Sequence, residues 1–185
     1  AESAYSEGAL FTAAESAGRL RDYEQEIYGE KGFITNTNLS ISGGSDKTSF
    51  FGSFTNNEED GIVKRTGASK QSLRLNVDHR ITDDIKLSLT GNYIESSADR
   101  GFFNNDNSNT TIGVSLLFTR PWDYLLPDAD GNYPDHPANS SNQIHTRDVM
   151  TNNESVSRLI AGGSLDVNLF RNENQSLKMI LKAGV

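Results

Sequence analysis

The feature that most constrains this chain is a period of two in its apolar residues, held for about ten residues at a time. Leu73, Leu75, Val77, His79 and Ile81 alternate with Ser72, Arg74, Asn76, Asp78 and Arg80, and Ile85, Leu87, Leu89, Gly91 and Tyr93 alternate with Lys86, Ser88, Thr90 and Asn92. A strand sends successive side chains to opposite faces, so each run predicts a strand with one apolar and one polar face. The same pattern covers Leu39 and Ile41, then Phe50, Gly52 and Phe54, and it returns from Leu159 to Leu169 and from Leu177 to Val185. Six antiparallel strands in three hairpins are predicted, at residues 35–44, 47–56, 70–81, 84–97, 155–170 and 176–185.

Alternation by itself fits any sheet with one wet face, and connection lengths separate the possibilities. Within each hairpin the turn is a few polar residues, Gly44 to Lys47, Thr82 to Asp84 and Arg171 to Gln175. Between hairpins the links are long, at residues 57–69 and 98–154. Strict alternation of short and long connections is the mark of a transmembrane barrel, with tight turns on one side and long loops on the other. A strand of about ten residues at about 3.3 Å each, tilted about 45°, also crosses roughly the 25 Å apolar band. Arg74, Asn76, Asp78 and Lys86 suit a wet lumen, because burying them between sheets would carry a heavy desolvation cost. Leu73, Leu75, Val77, Ile85, Leu87, Leu89, Leu165 and Val167 are then the lipid-facing residues. The competing expectation is a soluble extracellular β-sandwich that binds glycans.

Residues 9–28 depart from this pattern: Leu10, Ala13, Ala14, Ala17, Leu20, Tyr23 and Ile27 recur at three- and four-residue spacing, which predicts one short amphipathic helix inside an N-terminal external loop, residues 1–34. The chain is expected to be a piece of a longer one, since it opens without Met and closes in mid-alternation. Six strands are also fewer than the eight of the smallest single-chain membrane barrels.

Composition removes several classes. Only 35% of residues are apolar, yet nine Phe, six Tyr and patterned Leu, Ile and Val argue against disorder. A net charge of -8 without a Lys/Arg cluster lacks the footprint of a nucleic-acid partner. No cysteine is present, so neither disulfides nor thiolate metal sites arise.

The runs Asp22-Tyr-Glu-Gln-Glu-Ile-Tyr28, Asn36-Thr-Asn-Leu-Ser-Ile-Ser-Gly-Gly-Ser-Asp-Lys-Thr48, Asp60-Gly-Ile-Val63 and Ser72-Leu-Arg-Leu-Asn-Val-Asp78 resemble, in order and spacing, the SusC/RagA family of TonB-dependent outer-membrane transporters. The likeness extends weakly through Asp130-Gly-Asn-Tyr133. It implies an antiparallel barrel of 22 strands in the bacterial outer membrane, plugged by an N-terminal domain. It also implies import of oligosaccharides or peptides with a SusD-like surface lipoprotein, powered by TonB through a part of the protein that precedes these residues.

Candidate sites fall in the longest loop. Phe102, Phe103, Trp122, Tyr124 and Tyr133, with Asp123, place flat rings beside polar groups, as a glycan or peptide pocket requires, although a small loop core would use the same aromatics. Asp128, Asp130 and Asn132 offer oxygen ligands for a hard cation, but an EF-hand register counted from Asp128 puts Tyr133 where Gly belongs and Asn139 where Glu belongs. A polar turn is the simpler expectation. His79, His136 and His145 accompany no nucleophile, metalloprotease or phosphate-loop motif, and carboxylates such as Asp106, Asp123 and Asp135 have no spacing that sets a distance. No catalytic activity and no cofactor are expected.

Overall fold

The computed structural model describes residues 2–103 and 109–185. Its elements in chain order are α1 (Glu2–Ser16), α2 (Tyr23–Tyr28), β1 (Ile34–Gly44), β2 (Thr48–Asp60), β3 (Gly67–Arg80), β4 (Ile85–Asp99), α3 (Ile112–Leu117), α4 (Gln143–Val149), β5 (Asn153–Arg171) and β6 (Ser176–Gly184). The six strands form one antiparallel sheet in the order β1-β2-β3-β4-β5-β6, the meander expected of a barrel segment of a larger protein.

Register follows the alternation. Leu39 opposes Phe54, Ile41 opposes Gly52 and Gly43 opposes Phe50 in the first hairpin, while Leu165 opposes Leu181 and Val167 opposes Met179 in the last. Residues directly opposed share a face, so the apolar residues collect on one side. A Cβ placed on Gly52 would lie 3.4 Å from Leu75 and 3.5 Å from Ile41, and one on Gly163 would lie 3.2 Å from Leu89, which continues that face across the central strands. On the other side Ser88 donates to Asp78 at 2.5 Å, Thr90 donates to Asn76 at 2.8 Å and Lys178 reaches Asp166 at 2.7 Å. Gly44 is required at the first turn, because a Cβ there would come within 2.4 Å of the Thr48 carbonyl oxygen.

One part of the frame differs from simple alternation. A bulge between Asn168 and Phe170 shifts the last hairpin by one residue, so Phe170, and not Leu169, stands opposite Leu177. Two consecutive apolar residues next to a turn make either frame acceptable to the sequence.

The chain divides into two compact units. The sheet unit comprises Ile34–Glu59, Ala68–Ala98 and Glu154–Val185. Among its described residues only Gly52 is buried, so this sheet has no hydrophobic core on either face. The loop unit comprises Ala1–Phe33, Asp60–Gly67 and Asp99–Asn153, the three segments that enter, link and link again the strand pairs. It has a core of its own, Tyr23, Ile27, Val63, Ile112, Leu125 and Ile144, with Phe102 and Tyr133 packed against it. The long link is therefore structured, and α3 and α4 within it pack on each other.

The single helix expected over residues 9–28 is two helices. Gly18, at φ +63, closes α1 in a Schellman arrangement, with Arg19 N–H donating to the Ala14 carbonyl and Gly18 N–H to that of Glu15. Asp22 then caps α2 by accepting from Gln25 N–H.

Ile27→Ala and Ile144→Ala should each cost the loop unit about 2–5 kcal/mol, since both side chains are fully enclosed. The readout is amide hydrogen exchange in the full-length protein, faster across residues 23–28 and 143–149 and unchanged in β3 and β4. Equal acceleration in both regions would show that the two units open together.

Candidate functional site

The loop unit must hold together segments far apart in sequence, and a buried guanidinium does much of this. Arg147, on α4, keeps only 5% of its side chain exposed. It grips Asp148 with two bonds, Nε to Oδ1 at 2.7 Å and Nη2 to Oδ2 at 3.1 Å, and donates through Nη1 to the Glu26 carbonyl at 2.9 Å and to Glu26 Oε1 at 3.0 Å. Lys64 also donates to Glu26 Oε1, Tyr133 donates its hydroxyl to Asp148 Oδ2 at 2.9 Å, and Arg65 donates to the Asp148 carbonyl. Segments 22–28, 60–67 and 133–148 thus meet at one charged knot.

Burial alone would raise the carboxyls of Glu26 and Asp148. Hydrogen bonds from Arg147, joined by Lys64 at Glu26 and Tyr133 at Asp148, outweigh it and hold both below their ordinary values. The bond to Asp148 in turn pushes the Tyr133 phenol up.

Asn142 serves as a second tie. Its Oδ1 caps α4 by accepting from Ile144 N–H and His145 N–H, and its Nδ2 donates to the carbonyls of Leu125 and Pro134. His136, in the same long link, is buried and works as a neutral ring: Nδ1 accepts from Ala138 N–H, which leaves Nε2 to donate to Thr119 Oγ1 at 3.0 Å. Burial lowers its pKa.

The predicted aromatics do not form one pocket. Phe102 and Tyr133 belong to the packing of the core, and Tyr133 also stacks on His145 with centroids 4.6 Å apart. Phe103 stacks on Tyr28, Trp122 meets Phe11 edge to face at 6.1 Å, and Arg21 lies over the Tyr124 ring at 5.4 Å. Tyr124 is the most open of them, 56% exposed. Asp123 is buried, its carboxylate accepting from Arg120 N–H and its carbonyl accepting from the Tyr23 hydroxyl, so it holds the loop and offers nothing to solvent.

Asp128 accepts from Asp130 N–H, Asn132 N–H and Asn132 Nδ2, with Gly131 at φ +84. That is Asx-turn geometry, and hydrogen bonds from Asn132 keep this carboxyl below its usual range. Asp106 lies outside the described residues, and Asp135 is exposed.

Sequence reading missed Glu26, Arg147 and Asp148. Asn142 ahead of Gln143-Ile144 is a local helix-start signal that could have pointed to α4; a bond across 121 residues leaves none.

A one-sided antiparallel sheet with open edges, whose long connections fold as a separate unit, defines the chain as a wall segment from a larger β-structure. No family model matches it. It is similar to the TonB-dependent receptor P26 of Formosa agariphila, 29% identical over 91 residues, a stretch that is 49% of this chain and 9% of that receptor. This likeness supports the TonB-dependent receptor family.

Arg147→Met should destabilise the loop unit toward the low end of about 3–5 kcal/mol, because the two carboxylates it leaves behind keep some contact with water. Acidification should act in the same direction. Glu26, Asp148 and His136 all bind protons more readily unfolded than folded, so the stability they contribute is complete above their unfolded pKa values and is lost as pH falls through the folded ones. His136 enters below about pH 6.5 and the carboxylates below about pH 4.5. Amide protection across residues 143–149 should therefore drop on acidification; a rise would reverse the sign.

Proposed function

We propose that this chain is part of the wall of an outer-membrane transporter of the SusC/RagA type, which imports glycan oligosaccharides or peptides together with a SusD-like lipoprotein and is driven by TonB. In this reading β1–β6 are neighbours in a barrel of 22 strands. Residues 1–34, 57–69 and 98–154 are external loops, and Leu73, Leu75, Val77, Ile85, Leu87, Leu89, Leu165 and Val167 meet lipid.

The observation that carries the reading is the uncovered apolar face: Ile41 is 66% exposed, Leu75 55%, Leu89 50% and Leu181 53%. A cost of about 25 cal/mol for each Å² of such surface left in water weighs against a soluble domain and supports a wall against acyl chains. A β-sandwich would cover these positions with a second sheet. Meander connectivity supports it further, because the segment before β1 and the β2–β3 and β4–β5 links all leave the sheet at the same end. Tyr124 and Trp122 are the aromatics we assign to substrate contact. Their surroundings in the loop unit are ring and guanidinium surfaces suited to a sugar face or a peptide side chain.

Leu89→Arg in the full-length protein should cost roughly 2–4 kcal/mol in lipid vesicles, and Ser88→Arg, at nearly the same depth on the other face, should be tolerated. Equal effects would remove the lipid-facing assignment. Cysteines at Asp60 and Asp130 should react with an impermeant maleimide on intact cells and one at Asp83 should not; the opposite labelling would invert the topology. Tyr124→Ala should weaken ligand affinity with no change in heat stability, whereas a loss of stability with affinity unchanged would make the ring structural.

A further inference from the structure

Tyr124 stands 56% exposed between two buried residues, Asp123 at 9% and Leu125 at 0%. Both flanks are tied by the same group. The Tyr23 hydroxyl donates to the Asp123 carbonyl at 2.6 Å and accepts from Leu125 N–H at 3.2 Å, so its donor and its acceptor straddle the exposed ring. Further bonds fix the segment: Arg21 N–H donates to the Pro121 carbonyl at 2.8 Å, and Asn142 Nδ2 donates to the Leu125 carbonyl at 2.8 Å. Tyr23 is itself buried in the core of the loop unit. Burial pushes its phenol up, so the proton it donates stays in place throughout the neutral range.

Burying Leu125 would be enough to cover the core. Bonds to both neighbours of an exposed ring do something else: they fix where that ring points. A contact group ordered in advance does not lose that freedom when a ligand arrives, and the affinity is higher for it.

Arg21 supplies the second half of the site. Its guanidinium carbon lies 5.4 Å from the centre of the Tyr124 ring, and it makes no ion pair among the described residues. Its N–H donors are therefore available beside the ring. A guanidinium covers one ring face at most, which leaves apolar surface next to a fork of donors. That combination matches a pyranose, whose C–H face lies flat on an aromatic ring while its hydroxyl oxygens accept from N–H groups. A peptide side chain is held in a concave pocket, which a ring this open does not form.

We propose that Tyr23 is the positioning residue for Tyr124, and that Tyr124 with Arg21 forms a subsite for one pyranose ring of an oligosaccharide. The assignment rests on the transport reading, in which Tyr124 meets the cargo.

The test measures binding to the full-length protein in detergent by titration calorimetry. The probes are maltohexaose, cellohexaose, laminarihexaose and mannohexaose, with hexaalanine as the peptide control. At least one hexasaccharide should bind, and Tyr124→Ala, Arg21→Ala and Tyr23→Phe should each weaken it by at least about fivefold, the scale of one hydrogen bond. Tyr23→Phe should have no further effect once Tyr124 is replaced by alanine, because a positioning residue acts only through the group it holds. An undiminished effect in that background is the mark of a general structural role and overturns the positioning claim. So does a Tyr23→Phe protein that loses amide protection across residues 143–149, which would mean that the loop unit had unfolded. Arg21→Ala without effect, binding of hexaalanine alone, or binding of no probe overturns the sugar subsite. Weaker binding in Tyr124→Ala with Tyr23→Phe neutral removes only this inference and leaves the substrate contact standing. The Leu89→Arg comparison decides separately whether the membrane reading stands.

Discussion

Everything in the sheet unit depends on one unsatisfied requirement: six strands place most of their apolar side chains on a single face, and within this unit none of the described residues covers it. Pairing of neighbouring strands satisfies backbone groups but does not compensate for the exposed Leu, Ile, Val and Phe surface. In the barrel wall we propose, lipid takes the role that a core plays elsewhere. Polar cross-strand pairs such as Asp78 with Ser88 and Asn76 with Thr90 hold the opposite face together at modest strength, which suits a face that stays wet.

The loop unit meets the reverse problem. Its polypeptide arrives in three pieces separated by strands, and ordering them carries a heavy conformational-entropy cost. A small core built on Ile27, Val63, Leu125 and Ile144 offsets part of that cost. Arg147 adds direction, because a guanidinium has five donors in a fixed fork and can fix the angle between segments as apolar contacts cannot. Its net contribution to stability is moderate, since desolvation opposes the Coulomb gain. What it supplies is a defined arrangement of the chain from which Tyr124 and the loop surface are presented.

The strands were legible because period two is a local property. Leu73 to Ile81 and Ile85 to Tyr93 need no partner to declare which side they face, and the hairpin turns are set by a few residues such as Gly44. Legibility stopped where neighbours compete on equal terms. Leu169 and Phe170 are both apolar, so the bulge that presents Phe170 opposite Leu177 has no sequence signature. Periodicity likewise ran α1 and α2 together, as the apolar spacing continues through Gly18 although the backbone does not. The aromatics of the long loop were visible as a group, but their division into packed rings (Phe102, Tyr133) and an open one (Tyr124) followed from contacts with residues far away.

By itself, then, the sequence determined the strands, their two faces and the order of short and long connections, because each of these is decided within a few residues by side-chain direction. Only the tertiary structure decided that the long links build a core, that Asp123 turns inward, and that Glu26, Arg147 and Asp148 share one knot. Those outcomes rest on burial and on bonds between residues 100 and 121 positions apart, and the free energy of such contacts belongs to the assembled chain, not to any segment of it.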